Sequence, residues 1–305
     1  MLGLGLDFMT TAARRSTRAT VLIDATGPRD AVVFSRASPA FAYGDDGALV
    51  LHAPDVARID HDPQTGALLG TLFEPETTNM LAHAHASVSQ WDQNGGSGTD
   101  QTLNALGVFT GVSEASTGAS YQRLNHPYVA LVAGTTYTVS IWLRAGTSPN
   151  LRAVFRTSGG HQTNWGGPIS ALGPLAQGAS GMVSGYAQKT LMDGTILLQL
   201  VFIPEHTTSY SIGIGPYSAV ADEDVVILGM QLEAGSRPSS FVTTSGTPAT
   251  RAADMAGTTG ISGPHRITIT YDDDSHDVIP LAPVTDGYWP PLSRPHVKRM
   301  TAVAV

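Results

Sequence analysis

The sequence predicts an all-β fold, a β-sandwich or jelly roll, and two observations lead there. Segments between Leu81 and Thr244 alternate apolar and polar residues with the two-residue period of strands. Gly 33 and Pro 19 in 305 residues mark many turns, short of the roughly 25% Pro and Gly typical of low-complexity disorder. No segment shows a convincing amphipathic helical period, and Thr, Val and Ser stand where helices would carry Glu, Lys and Leu.

In chain order, residues 1–20 are read as an attachment arm, with a short strand at Leu6-Asp-Phe8 and a basic cluster of Arg14, Arg15 and Arg18. Residues 21–80 form an N-terminal β and irregular region. Val32-Val-Phe34 is one strand. Tyr43-Gly-Asp-Asp-Gly47 turns into Ala48-Leu-Val-Leu51 as a hairpin. Asp60-His-Asp-Pro-Gln-Thr-Gly66 is a second turn, and the run from Leu68 to Phe73 is a buried strand.

Residues 81–250 hold the sandwich. In Tyr137–Arg144, one face carries Tyr137, Val139, Ile141 and Leu143, and the other carries Thr138, Ser140, Trp142 and Arg144. Leu151–Arg156, Ile196–Ile203, Tyr210–Gly215 and Val225–Glu233 complete five strands. Residues 157–181 are Gly-rich and read as a long loop. Residues 251–305 give a C-terminal hairpin, Arg266–Tyr271 against Val278–Leu281 around an acidic turn, then a Pro-rich irregular tail.

Composition excludes several classes. Charged residues are 14%, against about 25% in typical domains. The net charge is −8, so no chain-wide basic footprint for nucleic acid exists. Cysteine is absent, which removes disulfides and thiolate metal sites. The opening residues lack a basic n-region, so no signal peptide is read, and no apolar run reaches the roughly 18 residues of a membrane span. The expected setting is synthesis in the cytoplasm without membrane insertion.

Three groups of segments together resemble a known family. The first is Phe34-Ser-Arg-Ala-Ser38, Arg58-Ile-Asp-His-Asp-Pro-Gln-Thr-Gly66, Leu69-Gly-Thr-Leu-Phe-Glu74 and Thr78-Asn79. The second is the strand Tyr137–Arg144. The third runs from Gly229-Met-Gln-Leu-Glu-Ala-Gly235 through Pro238-Ser-Ser-Phe241 to Thr250-Arg-Ala-Ala-Asp254. The set resembles the tail-fibre and spike proteins of tailed phages and prophages that carry a jelly-roll carbohydrate-binding module. By length and style it is similar to the head spike fibre of a gene transfer agent, a phage-like particle. The resemblance implies a homo-oligomer, trimer or pentamer, on a virion-type surface. It also implies host adsorption through cell-surface or capsular polysaccharide, and attachment to a capsid, base or tail protein through the arm. No cofactor is implied beyond a structural Ca²⁺ that some jelly-roll sugar binders hold, with no ligands placed here.

For the binding face, a pyranose ring stacks on an indole while Arg and Gln bond its hydroxyls. The carbohydrate-binding candidates are therefore Trp142, Arg144, Arg152, Gln199 and Gln231, with Trp165 on a rim. Each has a plainer reading. Trp142 is covered by a loop or another subunit, Trp165 anchors its loop, and Arg152 with Arg156 is either solvated strand polarity or a partner for acidic groups of a capsule. Asp272–Asp277 and Asp222–Asp224 read as solvated acidic turns. His83 and His85 share a face without a visible third ligand, so no metal site is assigned. Serine-hydrolase, zinc-protease and P-loop motifs are absent, and no catalytic residue is assigned. The rival functions are a structural decoration or connector protein without sugar binding, and a capsule depolymerase.

Overall fold

The computed structural model describes residues 18–95, 97–119, 121–176 and 179–305. The arm therefore lies outside the described residues up to residue 17, and with it Leu6–Phe8, Arg14 and Arg15. The fold is all-β, with no helix among the described residues.

Two antiparallel sheets face each other. One has six strands in the order Ser97–Asp100, Val112–Ala115, Asp224–Ala234, Tyr137–Ala145, Ile196–Pro204, Gly181–Thr190. The other has the order Gly173–Ala176, Gln162–Pro168, Asn150–Thr157, Thr208–Pro216, Arg123–Asn125, Asp92–Asn94, with Val129–Leu131 also against Thr208–Pro216. The predicted alternation is what builds the core between them. Val139, Ile141 and Leu143 point inward from the first sheet, and Ala153, Phe155, Ile212 and Ile214 from the second. Phe155 and Phe202 stack across the layer with ring centroids 4.1 Å apart. Apolar burial of this kind contributes about 1.5–3 kcal/mol for each large side chain.

A third sheet joins the first and last strands of the described residues. Its order is Gly27–Pro28, Thr20–Asp24, His296–Ala304, Gly263–Tyr271, His276–Val284. Leu68–Leu72 adds to His296–Ala304, and Arg58–His61 adds to Leu68–Leu72. Leu22, Ile23, Ile267, Ile269 and Met300 form its own core. The segments read separately as 21–80 and 251–305 thus share one sheet.

Two readings of local structure are corrected. The Gly-rich stretch 157–181 is not one loop, because Gln162–Pro168 and Gly173–Ala176 are strands within it. A Cβ on Gly166 would meet the Leu151 carbonyl oxygen and lie 2.9 Å from the Arg152 Cα, so glycine is what lets this strand close on its neighbour. The Pro-rich tail is not irregular throughout. Its last part, His296–Ala304, is an inner strand of the terminal sheet, paired on one side with Thr20–Asp24 and on the other with Gly263–Tyr271. Its prolines precede it. Pro280 and Pro283 sit instead in the edge strand His276–Val284, the position where a missing N–H does least harm.

Candidate functional site

The outer faces of the two sandwich sheets differ. On the six-stranded sheet the outer face is covered. Trp142 is 2% exposed and lies in a third apolar cluster with Phe41, Leu49, Phe109, Leu197 and Phe241. Its ring sits 5.6 Å from Phe109 and 5.1 Å from Phe241, and its indole N–H donates to the Tyr43 hydroxyl at 3.4 Å. Burial pushes the Tyr43 phenol up to about 12. Gln231 is fully buried as a strut: its amide donates to the Ser240 carbonyl and accepts from the Val242 N–H at 2.7 Å. That strut holds Phe241 over Trp142.

The sugar-platform reading of Trp142 and Gln231 is therefore corrected. The alternation placed both off the sandwich core, but segments distant in sequence cover that face. Arg144 stays at the margin, paired with Asp193 at 2.8 Å. Gln199 is half-buried in a crevice with Tyr43, Lys189 and His296, between this sheet and the terminal sheet. Trp165 pairs in register with Ala153, packs against the sandwich core and lies 5.7 Å from Tyr186 of the opposite sheet. It is neither a rim residue nor a loop anchor. Of the six candidates, only Arg152 reaches the outer face of the other sheet.

The motifs behind the family resemblance meet elsewhere, in a buried charge cluster. Asp254 receives Arg36 at 3.0 Å and Arg58 at 2.5 Å, and Glu74 receives Arg58 at 2.9 Å and Arg251 at 3.4 Å. The Ser240 N–H and hydroxyl donate to Glu74 at 2.8 and 2.6 Å. Burial works to raise the Glu74 carboxyl, but Arg251, Arg58 and Ser240 outweigh it and hold the group below the usual range. These side chains clamp the N-terminal region, the segment after the sandwich and the strand Thr77–Asn79 together. They are a structural lock in which Arg36, Arg58, Arg251 and Asp254 are buried.

The outer face of the other sandwich sheet carries its own polar side chains, with Arg156 exposed, Arg152 and Asn164 half-buried, and Arg123 and Val154 buried. In register across it, Asn94 pairs with Arg123, and Arg152 sits between Gly215 and Gly166. The next row is Asp92, Asn125, Gly213, Val154, Asn164, and after it come Ser211, Arg156 and Gln162. Gly213 and Gly215 form a trough. A Cβ on Gly213 would lie 2.7 Å from the Arg123 Cδ, and one on Gly215 would lie 2.7 Å from its Cα. Arg123 lies along this trough, donating to Asn125 at 2.9 Å and to the Tyr121 carbonyl at 3.2 Å. The Arg152 guanidinium stands 5.5 Å from the Tyr217 ring centre.

None of Arg123, Arg152 and Arg156 forms an ion pair among the described residues. Two guanidinium nitrogens of Arg152, and Oδ1 of Asn164, are shielded and have no hydrogen-bond partner among the described residues. Burial, then the charges of Arg152 and Arg156, pull Arg123 down to about 10, and burial also lowers Arg152. A group titrating at about 10 remains cationic at neutral pH. Sequence reasoning named Arg152 and Arg156 but missed Arg123, Asn164 and Tyr217. The available signal was Tyr210-Ser-Ile-Gly-Ile-Gly215, where glycine on the polar side of a strand announces a side chain lying across it.

The remaining candidates are occupied locally. Asp272 and Asp273 pair with Arg294, and Asp274 pairs with Lys298. The His85 ring packs between Phe109 and Phe241. Among the described residues, no three His, Asp or Glu side chains gather in a metal-binding group. No family model and no curated protein sequence matches this chain.

Proposed function

We propose that this chain is a non-enzymatic fibre or spike protein of a phage-like particle, of the gene transfer agent head-spike or tail-fibre kind. It holds host cell-surface polysaccharide on the polar outer face of its sandwich. One observation carries the reading: a polar sheet face, floored by glycines and set with guanidinium, amide and phenol groups, presents exposed Arg156 and half-buried Arg152, while the opposite face is sealed under an apolar cluster. Such groups bond sugar hydroxyls, and a Tyr ring beside the trough offers a stacking surface. The two-sheet sandwich is compatible with the jelly roll that the resemblance implies. The groups on this face suit holding a chain, whereas glycoside cleavage uses paired carboxylates about 5–9 Å apart. In this reading the protein self-associates on the particle surface and attaches through the N-terminal arm.

The test is genetic and physical together. Particles lacking the protein adsorb less to encapsulated cells than complete particles, and purified protein binds isolated capsule without releasing reducing sugar. Unchanged adsorption removes the receptor-binding role, and sugar release would replace it with depolymerase activity.

A further inference from the structure

We infer that the polar face selects polysaccharides bearing anionic substituents, received by Arg152 and Arg156. This rests on the carbohydrate-binding reading and adds the charge class of the ligand.

A buried donor without an acceptor costs about 1–3 kcal/mol. Among the described residues, Arg152 keeps two such nitrogens and forms no ion pair with a carboxylate. Arg156 is exposed on the same side of the same strand, four residues on, which is about 13 Å along a strand. Val154 lies between them, 1% exposed, as an apolar floor. Arg123 is different. Its donors go to Asn125 and the Tyr121 carbonyl, so it is a positioning residue that raises the local positive potential. A planar guanidinium fork receives a carboxylate or phosphate through two parallel bonds, and such charge-assisted bonds are roughly twice as strong as neutral ones.

The arrangement favours a sugar polymer over nucleic acid. The chain carries a net charge of −8, which repels a dense polyanion such as duplex DNA with a charge about every 1.7 Å. A few well-separated arginines among amides and a Tyr ring match sparse anionic groups on an otherwise neutral, hydroxyl-rich chain.

The experiment uses the full chain on a glycan array. The array carries uronate-, sialate- and phosphate-bearing glycans beside their neutral counterparts, with oligothymidylate as a polyanion control. The expected result is binding confined to acidic glycans, weakened by salt, and reduced tenfold or more in Arg152→Gln and in Arg156→Gln. Arg152→Lys keeps the charge but loses the fork, so it does not restore affinity. Arg144→Gln, on the other sheet, binds as the parent does. Thermal melts establish folding, and Arg156→Gln keeps the test valid if an Arg152 variant melts early. Equal binding to neutral glycans overturns the charge selectivity and leaves the carbohydrate reading standing. Absence of any glycan binding overturns both. Equal binding to oligothymidylate, or full affinity in Arg156→Gln, overturns the inference.

Discussion

The two outer faces of the sandwich begin alike and end differently. Each is the non-core side of alternating strands, and each carries large polar or aromatic residues. On the six-stranded sheet, Trp142 is sealed under Phe109, Phe241 and Tyr43. On the other sandwich sheet, Arg152 is half-buried and Arg156 exposed, and neither forms an ion pair among the described residues. Alternation reports which way a side chain points and says nothing of what lies above it. Cover arrives from far along the chain: Tyr43 is 99 positions from Trp142. One face therefore became a second core, and the other kept a row of polar side chains.

The largest effects belong to the lock and the covered face. Asp254→Ala removes the acceptor shared by Arg36 and Arg58 and leaves buried guanidinium charge uncompensated, so unfolding measurements should show a loss of about 3–5 kcal/mol. Trp142→Ala empties the centre of the covering cluster and is expected to cost about 3–5 kcal/mol. Retention of full stability in Trp142→Ala would mean that the cover is loose and that the two faces are alike after all.

A smaller effect sharpens the picture at the edge of the covered sheet. Both Glu114 oxygens are shielded without a partner among the described residues, and burial pushes its carboxyl up to about 7. The folded value lies above the ordinary one of about 4.3. Stability from this group is therefore complete below about pH 4.3 and falls as pH rises through about 7. Glu114→Gln should melt several degrees above the parent at alkaline pH and close to it at acid pH. A gain that is the same at every pH would exclude titration of Glu114 as its source.

The smallest expected stability change is on the polar face. Arg156→Gln should shift stability by no more than about 0.5 kcal/mol, as at other exposed sites free of special contacts. A large loss there would show that the face is built for packing instead of binding.

Strands were legible where alternation was long, as in Tyr137–Ala145 and Asn150–Thr157. Gln162–Pro168 was not, because glycines that serve close strand contact read as loop composition. The strand His296–Ala304 was hidden behind the prolines that lead into it. At the site, Arg152 could be read from the sequence because it alternates with core residues. Its neighbour Arg123 could not, because it reaches the face from a three-residue strand and its place depends on Gly213 and Gly215. The motifs of Arg36, Arg58, Arg251 and Asp254 were visible as a set, but their joint role was not. Only the fold brings positions separated by up to 218 residues into one cluster.

Hydroxyl-radical footprinting with and without a bound acidic glycan addresses the division between the faces most directly. The account predicts protection at Tyr217, beside Arg152, with reactivity around Gln199 and Lys189 unchanged. Protection centred on Gln199 and Lys189, with the polar face untouched, would contradict it.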